Sequence, residues 1–498
     1  MKRIAHLIGG EPASSADARL GPVFNPATGE QTAELELASK QTVEKAIAKS
    51  QAAFREWSAR TPINRARVMF RYKELMQANM DELAVLVSRE HGKTIDDAKG
   101  SITRGIEIIE FACGIPQLLK GEYSSNVGSG VDSFNLRQAL GVCAGITPFN
   151  FPAMVPLWMY PVALACGNTF ILKPSEKTPS CPLRMVELAH EAGVPKDVLQ
   201  VVNGDKEAVD TLLHDERVKA VSFVGSTPIA EYIYHTGTSN NKRVQALGGA
   251  KNHMIVMPDA DIPRVTDALI GSAFGSAGER CMAISIAVCV GDETANNVRN
   301  SVSEAASRLN VGPYTDADSD FGPLSNEAHM NKVLSYIDKG VEEGADLVTD
   351  GRGLKLQGYE GGYYVGPCVF DNVTPEMTIY KEEIFGPVLG IVRSESYADA
   401  LKLVDEHELG NGAALFTNDG GVARHFVEQS KIGMVGVNVP IPVPVAYHSF
   451  GGWKRSLFGD HHMHGPEGIR FYTKLKTATV AWPGGKKTGP EFSIPVLS

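Results

Sequence analysis

The chain of 498 residues is longer than one hydrophobic core usually supports, so we expect two or more domains. With 43% apolar and 21% charged residues its composition is that of an ordinary globular protein, and a net charge of −10 without a long basic run argues against nucleic-acid binding. No apolar stretch is long and unbroken enough to cross a membrane. The N-terminus has too short an apolar segment for a signal peptide, and seven cysteines without a CxxC pair indicate free thiols, so we expect a cytoplasmic protein.

The first quarter of the chain is predicted to be mainly helical. Apolar residues at helical spacing indicate helices in the segments 42–60, 63–91 and 94–119. The segment 124–140 alternates instead and is broken by the glycines and serine at 128–130, which predicts a β-hairpin. Such an arm is suited to joining the sheet of a partner subunit.

Strands and helices alternate from residue 141 to 249, which predicts a parallel, doubly wound sheet of the Rossmann type. A second α/β region is expected from 252 to 439, and a strand is expected near Val480. The predicted strands are 142–147, 169–172, 198–202, 218–224, 254–257, 284–290, 388–392 and 413–416. The predicted units are a dinucleotide-binding domain (1–120 and 141–250), a catalytic domain (251–450), and an oligomerisation arm and tail (121–140 and 465–498).

Two predicted strand ends carry residues suited to a dinucleotide. Gly225 and Ser226 follow the strand 218–224 and open a helix, whose free N–H groups and dipole favour phosphate, although such residues are also ordinary helix caps. Lys173 and Glu176 follow the strand 169–172, at the sheet edge where doubly wound folds bind dinucleotides. They suit the hydroxyls of an adenosine ribose, and a surface ion pair is the structural alternative.

Cys281 is the candidate nucleophile. It directly follows Arg280 in a run with few strong charges, and positive charge or nearby backbone N–H groups are the usual means of stabilising a thiolate. Most cysteines are structural, which is the alternative. Asn150 lies in a loop of aromatic residues and prolines, where its amide could hold an oxyanion or serve a turn. The histidines at 461, 462 and 464 do not have typical metal-site spacing, and we expect no metal.

Five motifs in order along the chain resemble those of aldehyde dehydrogenases: 148–152, 173–176, 223–227, 278–281 and 382–388. The resemblance implies an aldehyde dehydrogenase-like α/β fold that assembles as a homodimer or homotetramer. It implies that Cys281 attacks an aldehyde, that Asn150 holds the oxyanion, and that hydride passes to NAD and leaves a thioester. NAD is expected rather than NADP, because the charge of Glu176 would repel a 2′-phosphate. The implied cofactor contacts are Phe149, Lys173, Glu176, Gly225, Ser226, Glu383 and Phe385.

One departure from the family pattern concerns the release of the acyl group. Many members carry a glutamate that activates water, but alignment on Lys251 places Leu247 at that position, with Ala246 beside it. Neither side chain can accept a proton, so the usual base for hydrolysis is missing. A thiol needs less help than water because its pKa is lower, so coenzyme A is the expected acceptor. The alternatives are hydrolysis to a free carboxylic acid with another base, and a catalytically silent dinucleotide-binding protein.

The segments 249–253, 278–283 and 471–477 resemble the CoA-acylating methylmalonate-semialdehyde dehydrogenases within this family. The resemblance implies oxidative decarboxylation of malonate semialdehyde or methylmalonate semialdehyde to acetyl-CoA or propanoyl-CoA. It also assigns Arg104 and Arg280 to the substrate carboxylate, which a guanidinium can bind through two parallel hydrogen bonds. For Arg104, a surface ion pair is the structural alternative.

Overall fold

The computed structural model describes residues 1–15, 17–128 and 130–482. Two large sheets with flanking helices dominate the architecture, which is the expected α/β class. Within the described residues, no helix is both long and apolar enough to cross a membrane. The helices are Lys40–Ala59, Pro62–Ala78, Met80–His91, Ile95–Cys113, Ile115–Leu118, Met154–Ala165, Ser180–Glu191, Lys206–His214, Thr227–Ser239, Ile262–Phe274, Asp292–Ala306, Glu327–Glu342, Thr378–Lys381, Tyr397–Glu406, Gly420–Gln429 and Gly465–Phe471, with a 3-10 turn at Gly275–Gly278.

The first large sheet has eight strands and forms the expected Rossmann-type half. Its strands lie in the order Leu457–Phe458, Arg243–Leu247, Val218–Val224, Val142–Ile146, Thr169–Lys173, Leu199–Val201, His6–Ile8 and Glu11–Ala13. The five strands from 243–247 to 199–201 pair in parallel. Of these five strands, the chain forms Val142–Ile146 first and then adds Thr169–Lys173 and Leu199–Val201 on one side of it. It then adds Val218–Val224 and Arg243–Leu247 on the other side. The order therefore reverses between Val142–Ile146 and Val218–Val224, and ligands of such sheets bind beyond the strand carboxyl ends at this point.

The second large sheet has seven strands. They lie in the order Asp346–Thr349, Cys368–Asp371, Val388–Ser394, Ile284–Val290, Asn252–Val256, Gly412–Phe416 and Met434–Val437, all parallel except the first. Residues 248–251 connect the end of one strand of the first sheet to the start of Asn252–Val256. The segments before Ile284–Val290 and Val388–Ser394 contain Cys281 and Glu383. The amino ends of the strands in the second sheet therefore face the carboxyl ends of the parallel strands in the first sheet.

The predicted hairpin is present as Tyr123–Gly128 and Val131–Ala139. The tail strand Thr473–Ala481 pairs antiparallel with Val131–Ala139, which completes a three-stranded sheet. Residues 483–498 of the predicted tail lie outside the described residues. The remaining strands are Lys2–Ile4, Glu30–Leu37 and Arg19–Asn25 in one sheet, and Leu409–Gly410 with Trp453–Lys454 in another.

The segment 457–472 returns to the Rossmann-type half after the chain has completed the second sheet. Leu457–Phe458 pairs antiparallel with Arg243–Leu247 at the edge of the first sheet. Ile469 and Phe471, in the helix Gly465–Phe471, are buried in the same hydrophobic core as Trp158. This packing holds the start of the tail strand against the Rossmann-type half.

Candidate active site

A strained turn places Cys281 between the two sheets. The helix Ile262–Phe274 ends in the turn Gly275–Gly278, in which Ser276 and Ala277 have left-handed backbone angles, with φ of 57° and 53°. Gly278 also has a positive φ, and an added Cβ would lie 2.0 Å from the carbonyl oxygen of Gly386. Such strain persists only where the surrounding structure enforces it, and it is common at functional sites.

Two cavities meet at Cys281. The first, of about 200 Å³, is lined by Cys281 and by six of the predicted cofactor and oxyanion residues. These six are Phe149, Asn150, Gly225, Ser226, Glu383 and Phe385. The second, of about 390 Å³, is lined by Cys281, by both predicted clamp residues, Arg104 and Arg280, and by Asp97. A thiol at the junction of the two cavities can reach a molecule bound in either.

The carbonyl groups around the thiol are fixed by three asparagines. The buried Asn150 donates from Nδ2 to the carbonyl oxygen of Glu279 at 2.9 Å. Asn252 and Asn411 each donate from Nδ2 to the carbonyl oxygen of Cys281 at 3.0 Å. Asn252 lies in the motif 249–253 but was not assigned this role from the sequence, and Asn411, just before the strand Gly412–Phe416, lies in none of the motifs.

The thiol of Cys281 is not activated by its neighbours in this structure. Burial, together with the charge of Glu383, raises the pKa of Cys281 to about 12. The backbone N–H of Cys281 and the charges of Arg280 and Lys93 act in the opposite direction but do not outweigh burial. The charge of Arg280 and the backbone N–H thus lower the pKa of Cys281 in the expected direction, but by less than burial raises it.

Aromatic rings and one carboxylate shape the first cavity. Phe385, which has a left-handed φ of 60°, packs edge-on against Phe149, with ring centroids 6.1 Å apart. His329 packs against both rings and bonds through Nε2 to the carbonyl oxygen of Phe385 at 2.7 Å. Glu383 accepts at Oε1 from the N–H of Ala250 at 2.9 Å. His329 and Lys332, which also line this cavity, were missed by the sequence motifs.

The start of the helix Thr227–Ser239 faces the same cavity. Ser226 is its N-cap residue, yet the Ser226 side chain makes no capping hydrogen bond. Gly225 and Ser226 line the cavity at the reversal of the strand order, so this helix start fits a phosphate group. Lys173 and Glu176 are not brought into this lining. They lie beyond the strand Thr169–Lys173 and pair with each other, Nζ to Oε2, at 3.5 Å.

Leu247 occupies the position where many family members carry the water-activating glutamate. It ends the strand Arg243–Leu247, is 2% exposed, and packs in the core of the Rossmann-type half. Gly248 and Gly249, which follow it, line the first cavity without offering a side chain. No proton acceptor therefore stands at that position.

A buried carboxyl group lies directly behind the nucleophile. Glu279 is 0% exposed, and its Oε1 accepts hydrogen bonds from the N–H of Ser325 at 3.2 Å and from its hydroxyl at 2.9 Å. Burial raises the pKa of Glu279 to about 8. Oε2 lies 3.2 Å from Nε2 of His91, whose pKa burial holds well below its usual range. A protonated Oε2 can donate to the neutral imidazole, which satisfies two buried polar atoms at once.

The two predicted clamp arginines reach the second cavity from different elements. Arg104 lies on the helix Ile95–Cys113, pairs with Glu107 three residues on, and donates from Nη2 to the carbonyl oxygen of Pro444 at 2.7 Å. Arg280 comes from the nucleophile loop, with Nη2 2.9 Å from Oδ1 of Asp97. Both guanidinium groups are partly exposed and line the cavity, so each can offer further N–H donors to an anion there.

Among the described residues, no group of three or more His, Cys, Asp or Glu side chains could hold a metal ion. His461 pairs instead with Glu467, Nδ1 to Oε2, at 2.9 Å. His464 is buried against Trp158.

The fold, the strained cysteine loop and the paired cavities are those of an aldehyde-oxidising enzyme, and the sequence matches the aldehyde dehydrogenase family over residues 13–478. The chain belongs to this family. It is 56% identical to the malonate-semialdehyde dehydrogenase of Pseudomonas aeruginosa, with 100% of both chains covered. It is 47% identical to malonate-semialdehyde dehydrogenase 2 of Bacillus cereus, over 96% of this chain and 98% of that one.

Two solved structures have the same fold. The methylmalonate-semialdehyde dehydrogenase of Oceanimonas doudoroffii superposes with a TM-score of 0.96 at 57% identity, covering 97% of this chain and 99% of that one. A Sinorhizobium meliloti protein, provisionally named methylmalonate-semialdehyde dehydrogenase and crystallised with NAD, also gives a TM-score of 0.96, at 54% identity and the same coverage.

Proposed function

We propose that this protein is an NAD-dependent, CoA-acylating dehydrogenase of malonate semialdehyde and methylmalonate semialdehyde, yielding acetyl-CoA and propanoyl-CoA. The observation that carries the proposal is the position of Cys281 between a cofactor cleft and a pocket with two arginines. The apolar Leu247 at the usual site of the hydrolytic base supports an acceptor other than water. The names of the full-length relatives agree with this substrate class.

The residues of the first cavity fit a dinucleotide. The helix start at Gly225 and Ser226 suits the pyrophosphate, and Glu383 and Phe385, with Phe149 packed against them, suit the nicotinamide riboside. Lys173 and Glu176 suit the adenosine ribose beyond the neighbouring strand, and the charge of Glu176 favours NAD over NADP. NAD, when bound, supplies the hydride acceptor. The NAD complex of the Sinorhizobium meliloti relative supports this assignment.

Cys281 and Asn150 carry the steps of the proposed reaction. The thiolate of Cys281 attacks the aldehyde carbon, and the Asn150 amide and the Cys281 N–H stabilise the oxyanion. Loss of hydride leaves a thioester on Cys281, whose carbonyl is β to the carboxylate and accepts the electrons released as CO₂ leaves. The resulting enolate takes up one proton, which balances the proton that the Cys281 thiol loses to become a thiolate. The thiol of coenzyme A then takes the acyl group and restores the Cys281 thiol.

We also propose the domain boundaries, the subunit assembly and the cellular location of the protein. The dinucleotide-binding domain comprises 1–120 and 141–250, the catalytic domain comprises 251–450, and the arm and tail (121–140 and 465–498) join subunits into a homodimer or homotetramer. The seven cysteines are free, which supports a cytoplasmic location. The partners are small molecules, with no nucleic acid and no membrane.

Omission of coenzyme A tests the acyl acceptor. Without CoA we expect one burst of NADH, close to one per active site, and then turnover at least tenfold slower than with CoA. The physical reason is that the leucine at position 247 cannot accept a proton from water, so the usual base for hydrolysis of the thioester is missing. Stopped-flow absorbance with malonate semialdehyde, methylmalonate semialdehyde and propanal gives both phases. Sustained turnover without CoA would favour hydrolysis to a free acid, and absence of the burst would favour a silent binding protein.

Replacement of the arginines tests the carboxylate clamp. We expect Arg104→Leu and Arg280→Leu each to lower kcat/KM for malonate semialdehyde relative to propanal by about 10- to 100-fold, because each loses a charge-assisted hydrogen-bond pair. The measurement is steady-state kinetics with both substrates at saturating NAD and CoA. Equal losses for both aldehydes would remove the clamp from the proposal. The exposed Arg424, which pairs with Glu428 on a distant helix, gives the matched control Arg424→Leu.

A further inference from the structure

Arg280 is held on two sides inside the second cavity. Its Nη2 lies 2.9 Å from Oδ1 of Asp97. A Cβ added to Gly275 would lie 2.6 to 2.9 Å from the guanidinium atoms, so the group rests against bare backbone at that residue. The planar guanidinium therefore lies in a slot formed by a carboxylate and a glycine.

Asp97 has a second cationic partner behind it. Nζ of the buried Lys93 lies 3.8 Å from Oδ2 of Asp97 and 4.0 Å from the ring centroid of Phe151. Asp97 also lies in the first turn of the helix Ile95–Cys113, where the helix dipole favours an anion. Burial raises the pKa of Asp97, but the charges of Lys93 and Arg280 outweigh this effect and lower it to about 2.

The ionised carboxylate of Asp97 would by itself repel a carboxylated substrate from this cavity. Lys93 offsets the charge of Asp97, so the three groups together keep a net charge of +1. Arg280 has five N–H donors, of which Nη2 lies within bonding distance of Asp97 and Nη1 donates to the carbonyl oxygen of Gly271 at 3.4 Å. The carboxylate can thus fix the orientation of the guanidinium and leave donors free for an anion in the cavity.

We propose that Asp97, backed by Lys93, is a positioning residue that orients Arg280 for the carboxylate of the substrate and so contributes to substrate selection. The inference rests on the proposed carboxylate clamp. Arg104 is held differently, by Glu107 and by the main-chain carbonyl of Pro444. A change at Asp97 therefore acts on one of the two arginines.

The test is a double-mutant cycle between Asp97→Asn and Arg280→Leu, with the full-length enzyme, NAD and CoA. The readout is the ratio of kcat/KM for malonate semialdehyde to that for propanal. Asp97→Asn lowers this ratio at least tenfold, mainly through a higher KM for the semialdehyde. In the Arg280→Leu background the same substitution changes the ratio less than twofold, because the group it orients is gone. Asp96→Asn, one residue earlier and exposed, is the matched control and leaves the ratio unchanged.

The outcomes separate this inference from the proposed function. If Arg280→Leu does not change the ratio, the clamp itself is wrong. If Arg280→Leu lowers the ratio and Asp97→Asn does not, only the positioning role is overturned. A higher ratio in Asp97→Asn would show that Asp97 competes with the substrate. Equal losses for both aldehydes, or additive effects in the double variant, would show a general structural role.

Discussion

At the residue scale, two buried groups behind Cys281, Glu279 and His91, are held in their uncharged forms. Glu279 is an acid with a pKa raised to about 8, and His91 beside it is a base with a pKa far below its usual range. Both can be neutral at pH 7 and share one proton in a hydrogen bond. The pair adds bulk and hydrogen bonds behind the nucleophile without adding charge.

Glu279→Gln should stabilise the protein at alkaline pH. In the unfolded chain Glu279 ionises above about pH 4.5, whereas in the folded chain it keeps its proton until about pH 8. The folded state of the wild type therefore becomes less stable as the pH rises from about 4.5 to about 8. A tenfold difference in proton affinity between the folded and unfolded chains corresponds to about 1.4 kcal/mol of stability. Glutamine keeps the hydrogen bonds to Ser325 and His91 but has no proton to lose.

Thermal unfolding at pH 5 and pH 8.5 checks this expectation. We expect the Tm of Glu279→Gln to exceed that of the wild type by about 3 °C or more at pH 8.5, and the difference to shrink towards pH 5. Glu327→Gln, at an exposed helix start, is the control and should show no such trend. A difference that does not depend on pH would contradict the assigned ionisation.

The sequence identified the residues that lie within short motifs and missed those that reach the site from elsewhere. Cys281, Asn150 and Glu383 each lie in a recognisable local pattern. Lys93 and Asp97 do not, because their role depends on how the chain turns between two helices. Gly92 ends the helix Met80–His91 with φ of 99°, and this turn directs the next residues towards the nucleophile loop. No spacing rule anticipates that geometry.

At the element scale, prediction was most accurate for strands buried on both faces. Val218–Val224 and Ile284–Val290 have the predicted boundaries, because their nearly continuous apolar runs are typical of central parallel strands. Short edge strands were missed. Leu457–Phe458 has two residues and depends on pairing with Arg243–Leu247, a contact far away in sequence. The connection at 248–251 joins the two sheets and places Gly248 and Gly249 in the lining of the first cavity.

At the scale of the whole molecule, one face of the arm sheet carries exposed apolar side chains among charged ones such as Lys476. Tyr123, Phe134 and Leu136 lie on one face of the hairpin, and Val480 of the tail strand lies on the same side, according to the register of the pairs. The rings of Tyr123 and Phe134 stack at 6.0 Å. Leu136 is 43% exposed. Exposed apolar side chains next to unpaired outer strands, among the described residues, are typical of a subunit interface.

Leu136→Asp should therefore weaken the proposed homodimer or homotetramer. A carboxylate at residue 136 would lose its hydration on burial in an interface, and the neighbouring Lys476 on the tail strand would offset only part of that cost. Size-exclusion chromatography with light scattering should show a smaller assembly at micromolar concentration, with circular dichroism like that of the wild type. Val427→Asp changes an exposed valine on the helix Gly420–Gln429 and should leave the mass unchanged. If both variants keep the wild-type mass, the hairpin face is not the interface, and the arm contributes to assembly through its strand edges or not at all.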